Sequence, residues 1–473
     1  MKHEVVVVGA GVGGLTVAAL LAARGVDVCL LERQSNVGGC VVNFEQSGYS
    51  FAPTTGLYSG WHSGGIYETI FSELPFEPPQ ARPLSPWYIV RLPDGTEVTV
   101  GENQKEFDDQ LRQAFPECAE NALIFYRRLA QANDDHRAVT SNLLRDCSLR
   151  FGRFIDLQLQ AFAQCLSDQL PIDRAARALS TGGSRYTIKG GAQALADTLA
   201  ESIKKCGGTL RLNAPALRLA YGPDDLPIGV DLLSGERVFA SQAIVSNLTI
   251  WDTFGKLVGL ARTPPSVSSQ IRKLHGWGSY LLFLSMDHST ARRLKANRMF
   301  VLTDWQAAQA YSPELGQFIF SVNEDKTCAP DGKLAVTVST FTEAQEWFGF
   351  HQDQRAHEQK DQATLEELWN RMHNAMPELG DGVEVIETAT PQVFYERTRR
   401  KFGFVGGLCN SAAPPGARQV HETNFPNLFL VGDTVCPWSG LEGISICAKA
   451  LADRLRPKAK ARRRNHLFTG LFS

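Results

Sequence analysis

The chain has 473 residues, 43% hydrophobic and 21% charged, a globular composition long enough for two large cores or one elaborate one. Its formal net charge of −2 argues against nucleic acid as a bulk partner. The ten cysteines form no CxxC pair and no His/Cys cluster at metal-ligand spacing, so no metal is expected and the thiols read as reduced, mostly buried, in a cytoplasmic protein.

Met1-Lys2-His3-Glu4 runs straight into Val5-Val6-Val7-Val8 without a leader pattern, so secretion is not expected. No stretch reaches the roughly 20 continuous apolar residues that span a bilayer. Residues 4–8 predict a short buried strand, and Gly9-Ala10-Gly11-Val12-Gly13-Gly14 follows at once. Helical spacing then holds over 15–24 up to Gly25, and 26–31 predict a second strand that stops at Glu32. Strand, glycine turn, helix, strand, acid is a dinucleotide-binding pattern. Gly9 permits the tight turn, Gly11 and Gly13 keep the loop bare where backbone meets a pyrophosphate, and Gly14 lets helix and strand pack closely. The helix N-terminus offers unpaired N–H groups to the phosphates. Glu32, 18 positions past Gly14, is placed for ribose hydroxyls.

This much leaves NAD and FAD open. Arg33 follows the acid, and a second glycine pair, Gly38-Gly39, points to a ligand on a longer path than NAD needs. Further along, 151–162 reads as an amphipathic helix that either packs as core or lines the entrance for an apolar ligand. Lys189-Gly190-Gly191 opens a helix to 205, Gly207-Gly208 closes it, and 209–212 predict a strand. Strands of another sheet are predicted over 277–286 and 336–341, with His275 beside the first as a structural residue. Near the end the apolar run 428–431 stops at Gly432-Asp433 before a helix over 444–455. The tail carries seven cations between Arg454 and Arg464, then Phe468 and Phe472, and reads as frayed or as a contact for an anionic membrane surface.

Three blocks, VVVVGAGVGGLTVAALLAARGVDVCLLERQSNVGG (5–39), RYTIKGGAQALADTLAESIKKCGGTLRLNAPALRL (185–219) and NLFLVGDTVCPWSGLEGISICAKALADRL (427–455), resemble the FAD-dependent phytoene desaturase, carotenoid isomerase and retinol saturase family. A fourth, TATPQVFYERTRRKFGFVGG (388–407), carries the same likeness. The resemblance implies an α/β fold: a discontinuous, Rossmann-like, glutathione-reductase-like FAD-binding domain over 1–75, 180–260 and 385–456. An α+β substrate-binding domain would take 76–179 and 261–384, leaving 457–473 as the basic tail. It implies that Asp433, after Gly432, accepts a hydrogen bond from the FAD ribitol, and that backbone near Ala216 meets adenine. The segment from Gly440 through Gly443 to Ile444 would start a helix whose dipole faces the flavin C2 carbonyl. Trp438 and Tyr58 are the substrate-side candidates, and no catalytic residue is singled out. The substrate would be an apolar polyene or isoprenoid, desaturated, saturated or isomerised by hydride transfer to or from flavin N5, with a quinone or oxygen as electron acceptor.

The chain departs from the family pattern at several points. Asn36 stands where an arginine is usual, Trp438 replaces a glycine, and 51–57 lack a frequent aspartate. Amine oxidases normally place arginine after the first glycine pair, where this chain has Cys40. Flavin hydroxylases follow their late Gly-Asp with histidine, where Cys436-Pro437 stands here. Prenyl-binding proteins of the GDP-dissociation-inhibitor type share the architecture without a working flavin, and the full set Gly9, Gly11, Gly14, Glu32 and Asp433 argues against that reading.

Overall fold

The valine run at the start forms a strand because both its faces are buried: Val5 and Val7 pack into one core with Leu15 and Leu195, Val6 and Val8 into another with Trp251 and Phe254. The computed structural model describes residues 1–132, 138–179, 184–306, 316–349, 353–407, 421–436 and 440–455. In chain order the main elements begin with β1 (Lys2–Val8), α1 (Val12–Ala23), β2 (Val28–Leu31), β3 (Tyr88–Arg91), β4 (Glu97–Val100), α2 (Leu149–Ala163) and α3 (Gly191–Lys205). They continue with β5 (Thr209–Arg211), β6 (Ala216–Tyr221), β7 (Pro227–Leu232), β8 (Arg237–Ser246), β9 (Gly278–Asp287), β10 (Arg298–Leu302), β11 (Gln317–Val322) and β12 (Lys333–Thr342). Last come α4 (Gln354–Ala375), β13 (Val383–Ala389), α5 (Pro391–Thr398), β14 (Leu428–Leu430) and α6 (Gly440–Leu455).

The first sheet runs β6-β7-β8-β1-β2-β5, with β14 also paired to β8. Its long strand β8 serves two partners. Residues 237–239 pair antiparallel with β7, whereas 244–246 pair parallel with β14. Val8 lies opposite Leu31 and Ser246, and Ser246 opposite Leu430, so four parallel strands end along one edge. Open α/β sheets bind ligands outside such carboxyl ends. Helices α1, α3 and α6 cover one face, where Leu20, Leu199 and Leu451 share a core.

The second sheet runs β13-β9-β12-β11-β10-β3-β4, antiparallel except at β10–β3. The expected domain boundary at 385 cuts through β13, which pairs along β9 and so belongs to this sheet. One face packs against α2 and its neighbouring helices, with Phe151, Phe154 and Leu157 beside Trp277 and Phe300. The other face carries α4, where Leu368 and Met372 meet Tyr280, Leu282 and Phe320. The hairpin Phe44–Gln46 with Tyr49–Phe51 fastens the early chain to this sheet, Phe51 stacking on Phe283 at 4.7 Å between centroids. Among the described residues no helix is long and apolar enough to cross a membrane; the basic tail from 457 lies outside them.

Candidate active site

The glycine turn after β1 owes its tightness to two contacts. Gly9 has φ +98°, a conformation that L side chains rarely adopt, and a Cβ on Gly14 would sit 2.2 Å from the Gly9 carbonyl oxygen. Helix α1 then starts with no side-chain cap and no acidic residue in its first turn. Its leading N–H groups and positive dipole end remain for an anion. At the end of β2, Glu32 is fixed by two backbone donors: Ala10 N–H to Oε2 at 2.8 Å and Gln34 N–H to Oε1 at 2.8 Å. Each carboxylate oxygen keeps a further lone pair for a hydroxyl.

A cavity of about 820 Å³ extends from this edge to the second sheet. Of the sequence-predicted residues, Gly9, Gly11, Gly13, Glu32, Arg33, Gly38, Gly39 and Ala216 line it, as do Gly432, Asp433, Gly440 and Ile444. The register explains why the two ends of the chain meet: Asn247 N–H donates to Val8 O at 2.9 Å and Val431 N–H to Ser246 O at 3.0 Å, so the exits of β1, β8 and β14 lie side by side. Gly14 and Gly443 do not line the cavity. Gly14 acts through packing, and Gly443 is buried in α6.

Tyr58 is corrected. Its backbone pairs with Tyr186, its ring lies in the core with Tyr67 and Ile70, and its hydroxyl is hydrogen-bonded to Thr54 Oγ1 at 2.8 Å. Thr54, not Tyr58, reaches the cavity wall. Trp438 lies outside the described residues. The reading of all thiols as reduced is also corrected: Cys436 and Cys447 form a disulfide, with Cα atoms 6.6 Å apart, that ties the turn after Asp433 to α6. Among the described residues seven other cysteines are free.

Sequence reasoning missed three residues. Asn247 follows β8, and its side chain lies within the glycine cradle, Nδ2 2.6 Å from a Cβ on Gly11 and Oδ1 2.7 Å from one on Gly13. That Oδ1 is buried without a hydrogen-bond partner. Gln164, just after α2, lies so close to Gly406 that a Cβ there would be 1.9 Å from Nε2, and its Oε1 is likewise unpartnered. Arg400 reaches Asp433 with both ends of its guanidinium, Nη1 to Oδ1 at 3.2 Å and Nη2 to Oδ2 at 2.8 Å. Burial opposes that charge, but Asp433, Cys40 and Asp252 together outweigh it and hold the Arg400 pKa above its ordinary value. Only Asn247 had a usable signal, as the amide that follows the apolar run Ala243-Ile244-Val245 and Ser246 at the end of β8.

Charge in the cavity wall favours an anion. Arg33, Lys256, Arg397, Arg399 and Arg400 face Glu32, Asp252 and Asp433. Burial, then the neighbouring Arg399, holds the Arg33 pKa below its ordinary value. A glycine cradle, an uncapped helix start and a fixed carboxylate together fit a dinucleotide cofactor with a diphosphate, and the unpartnered Asn247 oxygen is an acceptor for a hydroxyl beside it. A family model described as flavin containing amine oxidoreductase matches residues 12–443.

The chain belongs to the flavin containing amine oxidoreductase family. It is 24% identical over 517 residues to prolycopene isomerase 1 of an Oncidium hybrid cultivar, covering 97% of this chain and 85% of that one. It is 24% identical over 524 residues to the all-trans-retinol 13,14-reductase of Danio rerio, covering 95% and 86%. A solved oxidoreductase from Methanosarcina mazei superposes with a TM-score of 0.70 at 16% identity, covering 96% of this chain and all of that one, which is a likeness of fold. This member of the flavin containing amine oxidoreductase family is therefore an FAD-dependent oxidoreductase with a Rossmann-like cofactor domain and a second, substrate-side sheet.

Proposed function

We propose that the protein desaturates, saturates or isomerises an apolar polyene of carotenoid or isoprenoid type. The observation that carries this reading is the far wall of the cavity. There the second sheet and the end of α2 present Ile319, Phe341, Phe162 and Ala161, with Ser279, Ser339 and Gln164 as uncharged polar groups. Among the described lining residues the three carboxylates are Glu32, Asp252 and Asp433, none on that sheet, and Asp252 is paired with Lys256 at 2.7 Å. A cationic amine would find no counter-charge there, whereas a hydrocarbon removes apolar wall from water. The named isomerase and reductase among the relatives support a polyene over an amine.

Bound FAD supplies the hydride acceptor or donor at N5. The chain's residues do the rest. The glycine edge and Glu32 would hold the cofactor's adenosine and diphosphate end, Asp433 would accept from its ribitol, and the start of α6 would favour negative charge at its ring. Phe341, Ile319 and Phe162 position the polyene and keep water out. The basic tail is read as a contact with an anionic membrane that holds such a substrate; truncation after Leu455 should then reduce sedimentation with anionic vesicles, and unchanged sedimentation would remove that role.

The test of function is anaerobic mixing of the yellow holoprotein with a detergent-solubilised carotene or with a primary amine. Bleaching of the flavin band by the carotene, or altered double-bond geometry in carotene recovered from pre-reduced enzyme, is the expected outcome. Bleaching by the amine alone would overturn the reading.

A further inference from the structure

The glycine pair Gly38-Gly39 is followed by Cys40, and Asn36 before it is also uncharged. A guanidinium nevertheless reaches this point from another segment. Arg399 and Phe402 both have positive φ, +56° and +51°, and the chain between them folds back so that Arg400 lies against Cys40 and Asp433. Besides the fork to Asp433, Arg400 donates Nε–H to Phe404 O at 2.6 Å and Nη2–H to Gly406 O at 3.2 Å. Its side chain is 15% exposed, and Arg400, Asp433, Cys40 and Gly406 all line the cavity. Four hydrogen bonds leave this cation one position.

We propose that Arg400 is a positioning residue that offsets the Asp433 charge beside the flavin, orienting that carboxylate for the cofactor and removing a negative charge that would oppose flavin reduction. The inference rests on FAD as cofactor and not on the polyene substrate. Its physical basis is the low dielectric of the site. Reduction adds electron density to the ring, and an uncompensated carboxylate nearby penalises the reduced state far more in a dry cavity than in water. A purely structural Arg400, tying 400–406 together, would affect oxidised and reduced FAD alike.

The readout is the ratio of affinities for reduced and oxidised FAD, measured as the flavin reduction potential of purified holoprotein against a redox dye, with no substrate present. In Arg400→Gln, Asp433 is left unpaired, and the preference for reduced FAD should fall at least tenfold, about 30 mV more negative for a two-electron couple. Asp433→Asn leaves the cation in excess and should shift the potential the other way. Arg400→Lys keeps the charge and should stay within threefold of wild type. Shifts of the same sign in Arg400→Gln and Asp433→Asn, or an Arg400→Gln value within threefold of wild type, would overturn the proposal. If Arg400→Gln holds no FAD, Cys40→Arg in the same chain returns a guanidinium from the other side. Recovery of FAD with a wild-type potential supports the proposal, and failure to recover contradicts it.

Discussion

The two sheets build their halves of the cavity in different ways. In the first, parallel strands β1, β2, β8 and β14 stop on one edge, and contacts come from the loops that follow: Gly9, Glu32, Asn247 and Gly432. In the second, mainly antiparallel strands contribute side chains from within their length, Ser279 in β9, Ile319 in β11, and Ser339 and Phe341 in β12. Parallel strands point the same way, so their ends gather and leave compact local motifs. A mid-strand side chain carries no such mark, because half the residues of any strand face each side.

The sharpest way to break this comparison is one substitution made in each region. Gly14→Ala places a Cβ 2.2 Å from the Gly9 oxygen, a backbone atom that cannot step aside. It should cost about 1–3 kcal/mol of stability, as overpacking does, and empty the protein of flavin. Calorimetry and the flavin absorbance of the purified variant would show both, and a stable yellow Gly14→Ala would refute the close-packed turn. Gly152→Ala in α2 meets nothing within 4 Å and should stabilise by about 0.5–1 kcal/mol, with FAD content unchanged. A loss of stability there would mean that α2 is held more tightly than its contacts indicate.

Between these in size lies a pH effect on the edge of the first sheet. His421 is buried, its Nδ1 lies 3.1 Å from Leu430 O in β14, and burial holds its pKa below 6.5. The unfolded chain therefore binds the extra proton first. Stability is fully present above pH 6.5 and is lost as pH falls through that value toward the lowered folded pKa. Melting temperatures from about pH 8 down to about pH 5 should drop more steeply for wild type than for His421→Gln. Parallel curves would show that His421 does not titrate in this window.

The sequence revealed the first region well because its chemistry requires glycines and an acid at fixed spacing. Gly9 to Gly14, Glu32 and Asp433 all reach the site or its packing. Arg400 was not legible, since it is one of four cations in Arg397-Thr398-Arg399-Arg400-Lys401 and only the turn geometry decides which one reaches Asp433. Asn247 was missed because β8 changes partners along its length, so its end is not marked by a turn motif. Tyr58 was misplaced because pairing with Tyr186 carries its ring into the core. The disulfide joins cysteines 11 positions apart, one just after Asp433 and one within α6, a spacing with no motif of its own.

On the proposed function, labour is divided within one cavity: strand ends would hold the cofactor, and mid-strand side chains the substrate. FAD titration of apoprotein by flavin fluorescence, in Glu32→Leu and Phe341→Ala, tests it most directly. Glu32→Leu strands two backbone donors, each worth about 1–3 kcal/mol, and should raise the FAD Kd at least tenfold, while Phe341→Ala should leave it within twofold. An unchanged Kd in Glu32→Leu, or a tenfold rise in Phe341→Ala, would contradict the account.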